Sequence, residues 1–139
     1  MIFVDANVFF DYVGKGKNWQ DSYVILENAK LPDTDYYVSA LSIILLHMHL
    51  FKYHNEAARD EIGELTKGFT IVPLTLDCFN QALENMSIED FEDSIQFYSA
   101  KSLGCQTIIT NNIKDFDSVT KEIEILKPKE FIDKKGLGF

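Results

Sequence analysis

The chain carries carboxylates and amides where they could bind a metal ion. Asp5 and Asn7 follow a short apolar run, Ile2–Val4, near the N-terminus. Oxygen ligands of this kind are preferred by hard cations such as Mg²⁺ and Mn²⁺. Such an ion can polarise a phosphate, lower the pKa of a bound water and stabilise a leaving oxygen. Asp5 is therefore the first candidate residue for metal-dependent phosphoryl transfer.

Two later segments supply further polar side chains. Residues 90–93 read Asp-Phe-Glu-Asp and begin a predicted helix, and residues 110–115 read Thr-Asn-Asn-Ile-Lys-Asp and follow a predicted strand. Each segment also has a structural explanation, because acids in a first helical turn favour the helix dipole and Asp115 suits a turn. Helical periodicity places Asp93 nearly opposite Phe91 and Ile95, outside the main apolar stripe of its helix.

Short apolar segments alternate with helical patterns along the chain. We predict five strands, at residues 2–4, 36–38, 69–72, 107–110 and 122–126. Capping residues for the helices between them are predicted at Asp21 or Ser22, at Thr75, and at Ser87 in a capping box with Asp90. This order implies a three-layer α/β domain with a mainly parallel five-stranded sheet. Ligands bind such sheets outside the carboxyl ends of the strands, where Asp5 and Thr110 fall.

The length and composition fit one domain with one core. The chain has 139 residues, of which 46% are apolar, and this is enough apolar material for a packed interior. No internal repeat, low-complexity segment or domain boundary is visible in the sequence. We expect a single domain over residues 1–133 and a loose tail over residues 134–139.

Charge and cysteine content restrict the class of function. A formal net charge of −9 argues against nucleic-acid binding by electrostatics alone, although bound metal cations can engage phosphate directly. Cys78 and Cys105 suggest neither a disulfide framework nor a zinc site. The N-terminus reads as a strand rather than a signal peptide, and no apolar segment is long enough to span a bilayer. These features predict a reduced cytoplasmic protein without a membrane segment.

Four segments together resemble the PIN-domain family of metal-dependent ribonucleases, which includes many toxins of bacterial toxin–antitoxin pairs. They occur in the order typical of that family and cover nearly the whole chain, from residue 2 to about residue 132. The segments are Val4-Asp5-Ala6-Asn7-Val8, Val38-Ser39-Ala40-Leu41-Ser42, the run 90–96 (Asp-Phe-Glu-Asp-Ser-Ile-Gln) and the run 109–116 (Ile-Thr-Asn-Asn-Ile-Lys-Asp-Phe). The last two are the more specific.

The resemblance implies roles for particular residues. Asp5, Asp93 and Asp115 would be the catalytic acids that bind Mg²⁺ or Mn²⁺, with Asn112 as the alternative to Asp115. Thr110 would orient water or phosphate near the metal. Glu92 and Asn7 are weaker candidates for metal ligands. The resemblance also implies a single-stranded RNA substrate, an antitoxin protein as partner and a homodimer.

One position departs from the family pattern. The family often has a Glu six residues after the Ser that matches Ser39, and here that residue is Leu45. The metal site thereby loses one carboxylate, so a catalytically weak or inactive PIN-like module that binds RNA or a protein is the alternative function. An aspartyl-phosphate phosphatase ranks lower, because that chemistry needs a second Asp where Asn7 stands.

The predicted helix over residues 40–53 is apolar on most of its surface. A helix of this kind is either buried or part of an interface, and we expect it to contribute to a homodimer. His47 and His49, two positions apart, point to different sides of this helix. They are therefore interpreted as core or interface histidines rather than as a pair of metal ligands.

Overall fold

The computed structural model describes residues 1–137 and contains one parallel five-stranded sheet. Its strand order is β3-β2-β1-β4-β5, and every pair of neighbouring strands is parallel. The strands are β1 (Ile2–Val4), β2 (Tyr36–Ser39), β3 (Phe69–Val72), β4 (Thr107–Ile109) and β5 (Glu124–Leu126). The parallel α/β architecture predicted from the alternating pattern is confirmed.

Helices cover both faces of this sheet. They are α1 (Ala6–Val13), α2 (Trp19–Asn28), α3 (Ala40–His54), α4 (Ala58–Leu65), α5 (Leu76–Glu84), α6 (Phe91–Ser102) and α7 (Pro128–Lys135). Successive strand residues point to opposite faces, so Phe3 and Ile108 are buried with α5 and α6, whereas Val4 and Ile109 are buried with the other five helices. Two apolar cores therefore fix the central strands, β1 and β4, from both sides.

Helix starts differ from the predictions at three places. Helix α1 has no predicted counterpart, and Asp5 is its N-cap, which accepts a hydrogen bond from the Ala6 backbone N–H. Helix α2 begins at Trp19, before the predicted caps. The predicted capping box at Ser87 is wrong, because the Asp90 side chain caps α6. The predicted cap of α5 at Thr75 is present.

The C-terminal segment is more ordered than expected. Helix α7 continues through Lys135 and ends at Gly136, which adopts a left-handed conformation with φ of 66°. The Leu137 backbone N–H then donates to the Ile132 carbonyl at 3.0 Å, and Leu137 packs against the core. The expectation of a loose tail is therefore wrong for residues 134–137, and residues 138 and 139 lie outside the described residues.

Helix α3 buries one side and exposes another apolar side. Ile44, Met48 and Phe51 are 58%, 65% and 52% exposed, and their spacing places them along one face. His47 stacks on Phe51, whereas His49 contacts other aromatic rings, so the two histidines do lie in different surroundings. Within residues 1–137, no helix is long and apolar enough to cross a membrane.

Candidate metal centre

An acidic cavity of about 240 Å³ lies where β1 ends and α6 begins. Five carboxylates line it: Asp5, Asp90, Glu92, Asp93 and Asp115. Asn7 and Asn112 line it as well, together with the Ala6, Phe10, Leu45 and Gln96 side chains. The cavity therefore contains six of the seven site residues predicted from the sequence, and Thr110 lies against one of them, Asp5.

Asp5 is held in one orientation by three hydrogen bonds. Its Oδ1 accepts from the Ala6 backbone N–H at 2.8 Å, and its Oδ2 accepts from Thr110 Oγ1 at 2.8 Å and Asn7 Nδ2 at 3.0 Å. Because Asp5 ends β1 and caps α1, its carboxylate also lies at the positive end of a helix dipole. The side chain is only 4% exposed and is thus a fixed oxygen donor in the cavity.

The pKa of Asp5 reflects the opposing effects of burial, neighbouring charges and hydrogen bonds on this carboxylate. The pKa of Asp5 is raised from 3.8 to about 6, mainly by burial and to a smaller extent by the charges of Asp115 and Asp90, although the hydrogen bonds from Thr110 and Ala6 lower it. Burial thus outweighs the local donors. Proximity to Asp115 shows that the segment after β4 shares the electrostatic environment of β1.

Asp93 is the most perturbed carboxyl of the cluster. Its pKa is raised to about 7, first by burial and then by the charges of Asp5, Asp90 and Asp115. Like charges in a shared, partly buried cavity disfavour simultaneous ionisation, and a bound divalent cation removes that penalty by replacing the protons. Asp5 and Asp93 come from separate predicted segments, and the charge of Asp5 contributes to the raised pKa of Asp93.

Asn7 and Thr110 both donate hydrogen bonds to the Asp5 carboxylate. Asn7 donates from Nδ2 to Asp5 and to Thr110, and its Oδ1 accepts from the Asn111 backbone N–H at 3.0 Å. Thr110 is 0% exposed, and its hydroxyl donates to Asp5 while accepting from the Asn7 side chain and the Asn112 backbone. The Thr110 hydroxyl thus fixes the Asp5 carboxylate, and its role in orienting water or phosphate stays a prediction.

Asp90 lines the cavity but was not among the predicted site residues. Its Oδ1 accepts from the Asp93 backbone N–H at 3.0 Å and thereby begins α6. The signal was present in the sequence, since Asp is a strong N-cap residue, but the cap had been assigned to Ser87. Asp90 therefore sets the position of Asp93 and adds negative charge to the same cavity.

The donor set of the acidic cavity fits a hard divalent cation in type. Carboxylate oxygens dominate the cavity wall, and Mg²⁺ and Mn²⁺ prefer such ligands. Within residues 1–137, no group of three or more Asp, Glu, His or Cys side chains is already arranged around one ion position. The buried Asp5 would be the fixed ligand, and the exposed side chains of Glu92 and Asp115 retain rotational freedom to complete the set.

A larger cavity, of about 770 Å³, lies on the opposite edge of the molecule, at the amino ends of β4 and β5. Its charged lining includes an ion pair of 2.7 Å between Lys101 and Glu122, so these charges neutralise each other. The acidic cavity, by contrast, combines converging like charges with the strand ends where parallel sheets bind ligands. The acidic cavity is therefore the candidate functional site.

Fold and site together define a class of α/β domain in which acids at strand ends and helix starts surround one cleft. The family model of the PIN domain matches residues 2–122 of this chain. The chain belongs to the PIN domain family, which confirms the resemblance found in the sequence motifs.

Known relatives and structures agree with this assignment. Ribonuclease VapC1 of Aquifex aeolicus (strain VF5) is 28% identical over 138 residues, which span 96% of this chain and 94% of that protein. The structure of VapBC2 from Rickettsia felis, bound to a DNA fragment from its promoter, has a TM-score of 0.70 at 18% identity and covers 91% of this chain and 98% of its own. A toxin–antitoxin complex from Klebsiella pneumoniae has a TM-score of 0.68 at 20% identity, with coverages of 92% and 98%.

Proposed function

We propose that this protein is a toxin-type endoribonuclease that hydrolyses phosphodiester bonds of single-stranded RNA with Mg²⁺ or Mn²⁺. The observation that carries the proposal is the convergence of Asp5, Asp93 and Asp115 on one cavity from three separate segments. Membership of the PIN family and similarity to a ribonuclease over 96% of the chain support the same reaction.

The residues of the site divide into ligands and supports. When bound, Mg²⁺ or Mn²⁺ would supply positive charge that polarises the scissile phosphate and acidifies the attacking water. Asp5, Asp93 and Asp115 would hold the ion. Asn7 and Thr110 fix the Asp5 carboxylate through hydrogen bonds of 2.8 to 3.0 Å, so that one ligand needs no reorganisation when the ion arrives.

The negative charge of the chain makes the ion necessary for substrate binding as well as for chemistry. A net charge of −9 and five carboxylates in the cavity repel an RNA phosphate. A divalent cation on these carboxylates reverses the local charge where the phosphate must approach. RNA binding is therefore expected to depend on the metal.

Partners follow from the same family membership. The similar Klebsiella structure is a toxin–antitoxin complex, and we propose an antitoxin protein as a partner of this chain in the cytoplasm. We also propose a homodimer that covers the exposed face of Ile44, Met48 and Phe51 on α3. Burial of such side chains is worth about 1.5 to 3 kcal/mol each.

A catalytically weak binding module is the second candidate, and Leu45 favours it. This side chain lines the acidic cavity and presents carbon where a further carboxylate would strengthen cation binding. Calorimetric titration with Mn²⁺ separates the two functions. A nuclease binds the ion at the acidic cavity, whereas an inactive module shows no saturable heat.

The direct test is cleavage of a single-stranded RNA in Mg²⁺ or Mn²⁺ by the wild type and by Asp5→Asn and Asp93→Asn. We expect metal-dependent cleavage by the wild type and a loss of more than about hundredfold in each variant, since loss of a ligand exceeds the effect of losing an outer-shell contact. Asp33→Asn is the matched control, because Asp33 is exposed with φ of 63° and Asn tolerates that conformation. Undiminished cleavage by both site variants would refute the proposal.

A further inference from the structure

A closed ring of hydrogen bonds lies at the base of the acidic cavity. Ser39 Oγ donates to Gln96 Oε1 at 2.6 Å, and Gln96 Nε2 donates to Ser42 Oγ at 2.7 Å. The two serine hydroxyls lie 3.1 Å apart and complete the ring. All three side chains are at most 2% exposed, so the ring is held in the interior without competition from solvent.

The ring satisfies its members only in a specific arrangement. Each hydroxyl has one proton, so with Ser39 donating to the amide oxygen, the Ser42 proton must point to Ser39. Ser39 Oγ also accepts from the Ser42 backbone N–H at 3.0 Å and so caps α3. A displacement of α6 along or around its axis would break both amide contacts and leave buried polar atoms unpaired, at a substantial cost in free energy.

The ring joins the two elements that face each other across the cavity. Gln96 is on α6, one helical turn after Asp93, and both residues line the cavity. Ser39 ends β2 and caps α3, and α3 carries Leu45 on the opposite wall. Residues three apart on a helix lie on the same side, so the position that the ring gives Gln96 is transmitted directly to Asp93.

An apolar residue would fill the same space without this directional control. The rest of the buried interior around α6 is mainly apolar, and side chains such as Met pack in several orientations. The amide of Gln96 instead has two fixed contacts, to Ser39 and to Ser42. Asp5 has a hydrogen-bonded support from Thr110 and Asn7, so the buried Asp5 and the helix that carries the half-buried Asp93 are each held by a network.

We propose that Gln96 is a positioning residue that holds Asp93 at the distance from Asp5 required for cation binding. This inference rests on the proposed metal-dependent function, and it adds a residue and a network that the metal-ligand assignment does not contain. Gln96 acts through the α6 backbone and touches neither the substrate nor the ion.

The test measures binding of Mn²⁺ alone, by calorimetry, together with the thermal midpoint of the metal-free protein. Gln96→Met keeps the length of the side chain and removes both amide contacts, and we expect Mn²⁺ affinity to fall about tenfold, the lower end for loss of an outer-shell partner. Ser42→Ala removes one amide contact, and we expect a fall of several-fold. It also provides the measurement if Gln96→Met does not fold.

Ser22→Ala is the matched control for a general loss of stability. Ser22 is 0% exposed, its hydroxyl donates to Asp11 at 3.1 Å, and it lies on α2 away from the cavity. It should lower the thermal midpoint without changing Mn²⁺ affinity. If Gln96→Met or a folded Ser42→Ala binds Mn²⁺ within twofold of the wild type, the inference is wrong while the proposed function stands. A wild type that binds no Mn²⁺ overturns the proposed function itself.

Discussion

Thr110 Oγ1 donates a hydrogen bond of 2.8 Å to Asp5 Oδ2, although the two residues are 105 positions apart. The contact follows from the register of the sheet, in which Val4 lies opposite Ile109 and the next residue of each strand reaches the cavity edge. A register shift by one residue would turn Thr110 to the other face. The pairing of β1 with β4 therefore determines the orientation of the buried carboxylate.

Replacing Thr110 with Val removes this donor at nearly constant volume. Because the Thr110 hydrogen bond lowers the pKa of Asp5 against the effect of burial, we expect that pKa to rise above about 6 in Thr110→Val. The Asn7 side-chain amide and the Asn112 backbone N–H, whose hydrogen bonds to Thr110 are partly buried, also lose their acceptor, so the free energy of unfolding should fall by about 1 kcal/mol or more. Carboxyl NMR titration and urea unfolding measure the two effects.

Thr107→Val provides the control on the same strand. Thr107 is also buried, but its hydroxyl donates to Glu124 at the other end of β4. This variant should leave the Asp5 titration unchanged. An Asp5 pKa that is the same in Thr110→Val as in the wild type would show that the hydroxyl does not control the carboxylate.

Asp93 should make the metal-free protein less stable as the pH rises. Its folded pKa of about 7 is above the ordinary value of 3.8, so between these values the folded state binds more protons than the unfolded state. The free energy of unfolding therefore falls from about pH 4 to about pH 7 and then levels off. Allowing for solvent screening of this half-buried group, the contribution is about 1 to 2 kcal/mol.

The variant Asp93→Asn isolates this contribution. In EDTA, its stability relative to the wild type should increase from pH 5 to pH 8 by that amount, measured by urea unfolding at each pH. Asp33→Asn, which removes an exposed carboxylate far along the chain from the site, should show no such increase. A constant difference between Asp93→Asn and the wild type across this range would contradict the shared acidic environment.

The sheet and the acids at its strand ends were predictable because the apolar residues of the central strands are also the buried ones. The β-branched and apolar residues of β1 and β4 are buried on both faces of the sheet, which gives continuous apolar runs in the sequence. Asp5 and Thr110 are the first polar residues after those runs. Their proximity required only the parallel order of the strands.

Two features were not predicted from the sequence: the cap of α6 and the burial of Gln96. Both depend on contacts between residues that are distant in the chain or on side-chain geometry. Ser87 and Asp90 are both good cap residues, but it is the Asp90 side chain that accepts from the Asp93 backbone N–H, and α6 begins at Phe91. Gln96 lies opposite the apolar stripe of α6 by periodicity, so it reads as solvent-facing. It is buried because residues 94–100 are enclosed on all sides by neighbouring elements.

Met48→Glu should weaken the proposed homodimer. Met48 is 65% exposed between Ile44 and Phe51 on the apolar face of α3, and a carboxylate there would have to be desolvated on association. We expect light scattering at micromolar concentration to show a shift from dimer to monomer with an unchanged thermal midpoint for the monomer. Lys67→Glu, on another exposed surface, controls for added negative charge. A wild type that is monomeric under these conditions would refute the dimer.

Leu45→Glu tests whether the missing carboxylate limits the site. Leu45 is partly buried in the cavity wall opposite the acids, so a Glu there adds an oxygen ligand and should strengthen Mn²⁺ binding on the order of tenfold, because affinity follows the number of charged ligands. The same charge repels Asp5 and Asp93 when no metal is bound, so the metal-free free energy of unfolding at pH 7 should fall by about 1 kcal/mol or more. Leu45→Gln places a polar side chain of the same length without the charge, and it should lose stability without gaining affinity. Equal Mn²⁺ affinities for the Glu and Gln variants would mean that α3 does not face the ion, and that the ligand set is completed by Glu92 and Asp115 instead.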